Sequence, residues 1–214
     1  MRHPGEPGRD CALCPRLKKF RTANRAAFPR FHNAPVPAFG AADARLLIVG
    51  LAPGLKGANR TGRPFTGDYA GDLLYATLVK FGFARGQYGA DPKDGLELCR
   101  ARITNAVRCV PPENKPMPKE ITTCRRFLAA EIAGLPRLEA ILCLGSVAHA
   151  SVLAIFGLKA SGCRFAHGAE HALPRGIRLF DSYHCSRLNT STGKLTPAMF
   201  EAVFARVREH LGER

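Results

Sequence analysis

The segment GLAPGLKGANRTGRPFTGD, at positions 50–68, combines residue types that can hold a flat polar ring and contact the phosphates attached to it. It contains five glycines, and glycine allows a ring to approach the main chain closely. We expect Phe65 to stack on a nucleic-acid base and Asp68, the only acid of the segment, to order a water molecule. The structural alternatives are core packing of Phe65 and capping of the next helix by Asp68. The cations of the segment, which we expect to contact phosphates, are Lys56, Arg60 and Arg63.

Two common phosphate-binding loops do not fit this segment. A P-loop ends in Gly-Lys-Ser/Thr, and a dinucleotide-binding loop requires Gly-x-Gly-x-x-Gly. The stretch GLAPGLKG satisfies neither pattern. The segment therefore does not predict a nucleotide cofactor.

The cysteines form a second group of residues that could bind a metal. Cys11 and Cys14 make a C-x2-C pair, and Cys109 and Cys124 flank a proline-rich loop. Four such sulfurs can hold one metal ion or cluster if the fold returns the N-terminal arm to that loop. The spacing leaves zinc, an iron–sulfur cluster and unrelated free cysteines open. We expect a structural role, in which the group pins the arm and orders the loop 110–123.

Charge and composition indicate the partner. The chain carries 32 Lys+Arg against 17 Asp+Glu, for a net charge of +15. Nucleic acid is the first candidate partner, with a membrane surface or acidic metabolites second and a generally basic proteome as the alternative. Apolar residues make up 46% of the sequence, and no apolar run reaches transmembrane length. We expect a cytoplasmic, nucleoid-associated protein with one domain, 1–214, whose N-terminal arm, 1–44, carries the first two cysteines.

Alternating strands and helices would position these residues. Four apolar runs predict buried strands, at 45–50, 101–107, 139–145 and 176–183, and amphipathic patterns separate them. Ser146 is expected to cap the third helix and Thr196 the last. This alternation predicts a parallel sheet with helices on both faces. Because ligands bind beyond the carboxyl ends of such strands, we expect the four following loops to converge.

Three stretches of the sequence together resemble a known protein family. The 50–68 segment, the stretch ITNAVRCVPPENKP and the stretch HCSRLNTSTGKLT are together similar to the iron–sulfur uracil-DNA glycosylases, most of all to the family 5 (UDGb) branch. The resemblance extends from Cys11 to the last helix. It implies a three-layer α/β/α sandwich around a four-stranded parallel sheet. It also implies a [4Fe-4S] cluster on Cys11, Cys14, Cys109 and Cys124.

The resemblance implies a role for each matching residue. Phe65 would stack on the flipped base, Asn105 would read its edge, and His184 would donate to uracil O2. The Asn105 amide would accept from uracil N3–H and donate to O4, an arrangement that cytosine reverses. Asp68 would stabilise the sugar cation and position the water, because the position of the family 4 acid holds Leu51. Further residues expected in the site are Asn189 for the water, Ala52 for backbone contacts, Arg187 or Leu188 as a wedge, and Lys194, Arg187, Lys56 and Arg63 for phosphates.

The sequence departs from the family at two places. Cys185 replaces the usual proline after the histidine, and we expect this change to alter the loop or to expose a reactive thiol. The insert 85–101 is expected to be a surface excursion. We expect a monomeric enzyme that removes uracil, with a wider range of deaminated bases as an extension. One alternative is a related enzyme that stays bound to its abasic product, either tightly or covalently through His184. Another is a non-catalytic iron–sulfur DNA-binding module.

Overall fold

The computed structural model describes residues 5–212, so both ends of the predicted domain lie outside the described residues. The strands are β1 (Phe39–Gly40), β2 (Leu46–Gly50), β3 (Ala84–Arg85), β4 (Glu97–Leu98), β5 (Ala101–Asn105), β6 (Ala140–Leu144), β7 (Glu170–Ala172) and β8 (Arg178–Ser182). The α-helices are α1 (Pro15–Ala27), α2 (Ala58–Thr61), α3 (Tyr69–Lys80), α4 (Pro118–Ala133), α5 (Ser146–Ile155), α6 (Arg187–Ser191) and α7 (Pro197–His210).

The main sheet has the strand order β1-β5-β2-β6-β8-β7. Its four inner strands are parallel; Leu46 of β2 aligns with Ala101 of β5 and with Ala140 of β6. The predicted four-stranded parallel sheet is therefore confirmed. The two edge strands, β1 and β7, run antiparallel to their neighbours and were not predicted. β3 and β4 pair in a separate two-stranded sheet.

Helices cover both faces of the sheet, which gives the expected three layers. Side chains alternate between the two faces along each strand. On one face, Ile48 and Phe180 pack in a core that includes residues of α3 and α7. On the other face, Val49 and Leu179 pack with residues of α4 and α5. Both faces are covered, so the inner strands read as continuous apolar runs.

Most helix predictions are confirmed, with one correction. Thr196 accepts a hydrogen bond from the Met199 amide and caps α7, as expected. Ser146, however, is the first helical residue of α5, and the cap position belongs to Gly145. Gly145 has a φ of +103°, which favours glycine at this sharp turn between β6 and α5. Within the described range, no helix combines the length and apolar character needed to cross a membrane.

Candidate active site and candidate metal centre

A pocket opens at the carboxyl ends of the inner strands. We call it the strand-end pocket; it is lined by Ala52, Pro53, Gly54, Ala58, Phe65, Asp68, Ala70, Asn105 and His184. Asn105 ends β5, and His184 follows β8 by two residues. The free space is about 250 Å³ including the open mouth. Phe65, Asp68, Asn105 and His184, which the sequence singled out, therefore line one pocket.

The absence of a side chain at Gly50 lets Asn105 and Phe65 of this pocket lie close together. Gly50 ends β2 and aligns with Asn105 of β5. A β-carbon at Gly50 would overlap Asn105 Oδ1 and would lie 2.5 Å from Phe65 Cζ. Any side chain at this position would therefore separate the amide from the aromatic ring.

Phe65 is held in an unusual backbone conformation. Its φ is +52°, in the left-handed region that non-glycine residues seldom occupy. The ring is 6% exposed and stacks on the His184 imidazole, with centroids 5.7 Å apart and planes 27° apart. Phe65 thus joins the core cluster of one sheet face and also lines the strand-end pocket. The core-packing alternative is confirmed, and stacking on a base stays a prediction.

Asp68 stands at the cap position of α3, but its carboxylate makes no capping hydrogen bond there. Its Oδ1 is buried and has no hydrogen-bond partner among residues 5–212. Its Oδ2 points toward Gly54 and Gly57, where a β-carbon at Gly54 would come within 3.2 Å. Burial raises the pKa of Asp68, and the amides of Gly71 and Ala70 oppose that shift. Asp68 lines the pocket and its Oδ1 has no partner, so this oxygen is available to act on a ligand.

His184 contributes an uncharged imidazole to the pocket. Burial lowers the pKa of His184 to about 4, so its ring is neutral at physiological pH. A neutral imidazole has one N–H that can donate and one nitrogen that can accept.

Asn189 supports His184 rather than the pocket. Its Nδ2 donates to the His184 carbonyl at 2.8 Å, and Asn189 is not among the residues that line the strand-end pocket. Its amide fixes the turn after β8, and the expectation that it holds a water stays a prediction. No spacing in the sequence signals this hydrogen bond, since the acceptor is a main-chain atom.

Arg63 is also corrected, because its guanidinium does not face the surface. The residue is 4% exposed, and its two terminal nitrogens donate to Asp94 at 2.8 and 2.7 Å. The guanidinium also lies over the rings of Phe39, Tyr75 and Tyr88. It is therefore not placed to contact phosphate.

The insert 85–101 supplies two of these partners, Asp94 and Tyr88, and is more than a surface excursion. The Tyr88 hydroxyl donates to the Phe65 carbonyl and accepts from the Gly67 amide, both at 3.2 Å. Tyr75 of α3 donates to the Pro64 carbonyl at 2.7 Å. The segment that carries Phe65 is thus hydrogen-bonded on both sides. Sequence reasoning missed this role, although the insert contains an acid and an aromatic residue that could have suggested it.

The other predicted DNA contacts lie on the surface. Lys56, Arg60, Arg187, Leu188 and Lys194 are exposed. The Leu188 side chain is apolar and yet 72% exposed at the start of α6. The Lys194 ammonium lies 4.9 Å from the centre of the Tyr183 ring.

Cys185 does not expose a thiol. It is fully buried, and its Sγ donates to the Ala70 carbonyl at 3.4 Å. Burial raises the pKa of Cys185 to about 12. The expectation of a reactive thiol is corrected: this cysteine packs the turn after β8 against the start of α3.

The four predicted ligand cysteines meet at one cavity. Cys11, Cys14, Cys109 and Cys124 all line it, together with apolar residues that include Leu17 and Phe127. We call it the cysteine cavity. Cys11 and Cys14 precede α1, Cys109 follows β5, and Cys124 lies in α4. The fold therefore brings the N-terminal arm back to the proline-rich loop.

N–H donors point at two of these sulfurs. Arg21 Nη1 donates to Cys109 Sγ at 3.4 Å, and the Arg108 amide donates to Cys124 Sγ at 3.3 Å. The Arg108 guanidinium pairs with the buried Glu131 of α4, which also binds Arg102 at 2.6 Å. This ion network ties the segment after β5 to α4, which holds Cys109 and Cys124 on a common frame. Arg108 and Glu131 carried no spacing signal in the sequence.

Comparison with known proteins agrees with this architecture. A family model described as the uracil DNA glycosylase superfamily matches residues 37–208. The type-5 uracil-DNA glycosylase of Thermus thermophilus is 44% identical over 207 residues, which cover 94% of each chain. That of Mycobacterium tuberculosis is 43% identical, over 94% of this chain and 78% of the relative. That of Pyrobaculum aerophilum is 38% identical, over 95% and 90%. This chain therefore belongs to the uracil-DNA glycosylase superfamily.

Proposed function

We propose that this protein excises uracil from DNA by hydrolysing the N-glycosidic bond and leaving an abasic site. The observation that carries the proposal is the strand-end pocket itself. It brings an aromatic ring, an amide, a neutral imidazole and a carboxylate with one unpartnered oxygen to one opening, which we assign to a flipped base. The relatives named type-5 uracil-DNA glycosylases support the choice of uracil.

Base reading is assigned to three residues. The flipped uracil stacks on Phe65, while the Asn105 side chain accepts from N3–H and donates to O4. The main chain at Ala52 lines the same pocket and borders the base. Cytosine presents the reverse pattern at these two atoms, and each unpaired buried polar group costs about 1–3 kcal/mol. The amide therefore excludes cytosine.

Bond cleavage is assigned to His184 and Asp68. As the bond breaks, negative charge develops on uracil O2, and the neutral His184 ring donates its N–H to that oxygen. Positive charge develops on the sugar, and the ionised Asp68 carboxylate stabilises it and orients the attacking water. The partner-free Oδ1 supports this role, because this buried oxygen is left free to bind a water molecule.

The exposed cations and Leu188 are assigned to the DNA surface. Lys56, Arg60, Arg187 and Lys194 contact phosphates, and Leu188 enters the space vacated by the base. The exposure of an isolated apolar side chain on a five-residue helix supports the wedge role. We propose that the chain acts as a single domain and as a monomer on DNA in the cytoplasm.

The cysteine cavity is assigned to a [4Fe-4S] cluster. The four thiols and two N–H donors form a suitable donor set for such a cluster. Zinc would require sulfurs about 3.8 Å apart, since Zn–S bonds are about 2.3 Å long. Among residues 5–212, three metal-ligating atoms lie within 4.8 Å of one another only at His149, His171 and Asp181. The cavity sulfurs are therefore spaced more widely than a single zinc ion requires, which favours an iron–sulfur cluster. When bound, the cluster would act structurally by joining the N-terminal arm to the loop 110–123.

A strand-cleavage assay tests the proposed activity. The purified protein is incubated with an end-labelled oligonucleotide that contains one uracil, and the product is then treated with alkali. We expect cleavage at the uracil position, and none with cytosine at that position. Absence of uracil-dependent cleavage would refute the enzyme assignment. A protein–DNA adduct that persists on a denaturing gel would instead indicate covalent retention of the product.

A further inference from the structure

Three metal-ligating side chains meet away from both sites described above. His149 lies in α5, His171 in β7 and Asp181 in β8. One ligand atom from each lies within 4.8 Å of the other two. None of the three lines the strand-end pocket or the cysteine cavity.

The hydrogen bonds of His149 define which of its nitrogens can bind a cation. Its Nε2 lies 2.8 Å from the Cys163 carbonyl, which can only accept, so Nε2 carries the proton. In the neutral ring, Nδ1 then presents a lone pair to Asp181, with 2.9 Å to each carboxylate oxygen. Metal-binding histidines commonly have this arrangement, in which the second nitrogen donates to a carbonyl.

Two other atoms of the group have no hydrogen-bond partner. Asp181 is fully buried, and neither its Oδ2 nor His171 Nε2 has a hydrogen-bond partner among the described residues. These two atoms are 3.4 Å apart. Ligands about 2.0–2.1 Å from a tetrahedral zinc ion lie roughly 3.3–3.4 Å from each other. The side chain of His171 is 14% exposed, the most of the three, although its Nε2 is buried.

We propose that His149 Nδ1, His171 Nε2 and an Asp181 carboxylate oxygen form a binding site for a divalent first-row metal ion such as Zn²⁺. Two imidazoles and one carboxylate suit such ions. The ion would join α5 to the edge strand β7 and to β8, so its role is structural. This inference does not depend on the proposed glycosylase activity. The alternative is a pair of histidines that shares protons with the carboxylate and binds no metal.

Metal binding by the full chain tests the proposal. Wild type, the variant His171→Ala and the matched control His210→Ala, each with its cysteine cavity loaded with iron, are titrated with Zn²⁺ against a chromophoric chelator. His171 is the most exposed of the three ligands, and folding is checked by circular dichroism. We expect wild type and control to bind one Zn²⁺ at least tenfold more tightly than His171→Ala. Equal zinc binding by wild type and His171→Ala would overturn the proposal.

A spectroscopic test separates this site from the cysteines and uses wild type alone. Co²⁺ bound by histidine and carboxylate gives visible ligand-field bands without a thiolate charge-transfer band, whereas cysteine-bound Co²⁺ shows that band. Co²⁺ is added to wild-type protein whose cysteine cavity is loaded with iron. We expect ligand-field bands and no Co²⁺–thiolate charge-transfer band. Failure of that protein to bind Co²⁺, or a spectrum dominated by thiolate bands, would overturn the proposal.

Discussion

The Tyr88 hydroxyl lies 3.2 Å from the Phe65 carbonyl and 3.2 Å from the Gly67 amide, and so it bridges the two residues on either side of Thr66. Phe65 holds a positive φ, a conformation that costs energy unless its surroundings fix it. The insert 85–101 is thus part of the machinery that orients the aromatic ring, although it lies outside the strand-end pocket.

Replacement of Tyr88 by phenylalanine should weaken the hold on the ring. Two hydrogen bonds are lost, each worth about 0.5–1.5 kcal/mol, while the aromatic packing against Tyr75 is kept. We expect a several-fold fall in the single-turnover rate of uracil excision and a modest loss of stability. Tyr69→Phe, at an exposed tyrosine, is the control. A wild-type rate in Tyr88→Phe would exclude a positioning role for the hydroxyl.

Replacement of Asp94 by asparagine should destabilise the fold. Arg63 would be left buried without its counter-charge, and breaking such a pair typically costs about 3–5 kcal/mol. Arg63 holds the pKa of Asp94 well below its usual range. The pair therefore contributes its full stability above the unfolded-state pKa, near 4, and loses it as pH falls. Urea denaturation at pH 7 measures the cost. Asp91→Asn, in the same insert, should behave like wild type, and a similar loss in both variants would contradict the argument.

Replacement of Asp68 by asparagine should separate catalysis from binding. The variant keeps the shape of the side chain but lacks the charge that stabilises the sugar cation. We expect excision to slow by at least about 100-fold, within the range usual for such groups, with DNA affinity by fluorescence anisotropy nearly unchanged. Asp72→Asn changes an exposed acid in the same helix and serves as control. Equal rates for the two variants would remove Asp68 from the mechanism.

The pH dependence of stability should reveal the neutral state of His184. Its pKa is about 4 in the folded protein and about 6.5 when unfolded. Between these values the unfolded chain binds more protons, so the free energy of unfolding falls as pH falls from 6.5 toward 4. Above pH 6.5 the contribution is constant. Between pH 6.5 and 4, wild type should therefore lose more free energy of unfolding than His184→Gln does. Parallel curves across this range would show that His184 titrates normally.

Replacement of a predicted cluster ligand should release iron and loosen the N-terminal arm. We expect Cys124→Ser to lower the iron content per chain, and limited proteolysis to cut near α1 and the loop 110–123 sooner than in wild type. Cys99→Ser, at a cysteine outside the cavity, should keep its iron. Equal iron content in the two variants would remove Cys124 from the ligand set.

The sequence predicted the inner strands because parallel strands covered on both faces form unbroken apolar runs. It also indicated Phe65, Asp68, Asn105 and His184, which follow or end those strands. Arg63 was misplaced because its partner is 31 residues away, in a segment without hydrophobic periodicity.

Three further features could not be predicted for local physical reasons. Asn189 bonds to a main-chain oxygen, which spacing does not show. The burial of Cys185 depends on the approach of α3 to the turn after β8. β1 covers two residues and is too short to produce an alternating pattern.

The short edge strands carry a consequence for the behaviour of the protein at high concentration. An unpaired strand edge is a template on which another chain can add a strand. Here the parallel core ends on one side in the two residues of β1 and on the other in the three residues of β7. Each edge strand offers only a few unpaired main-chain groups, so the sheet has little edge on which a second copy of the protein could add a strand.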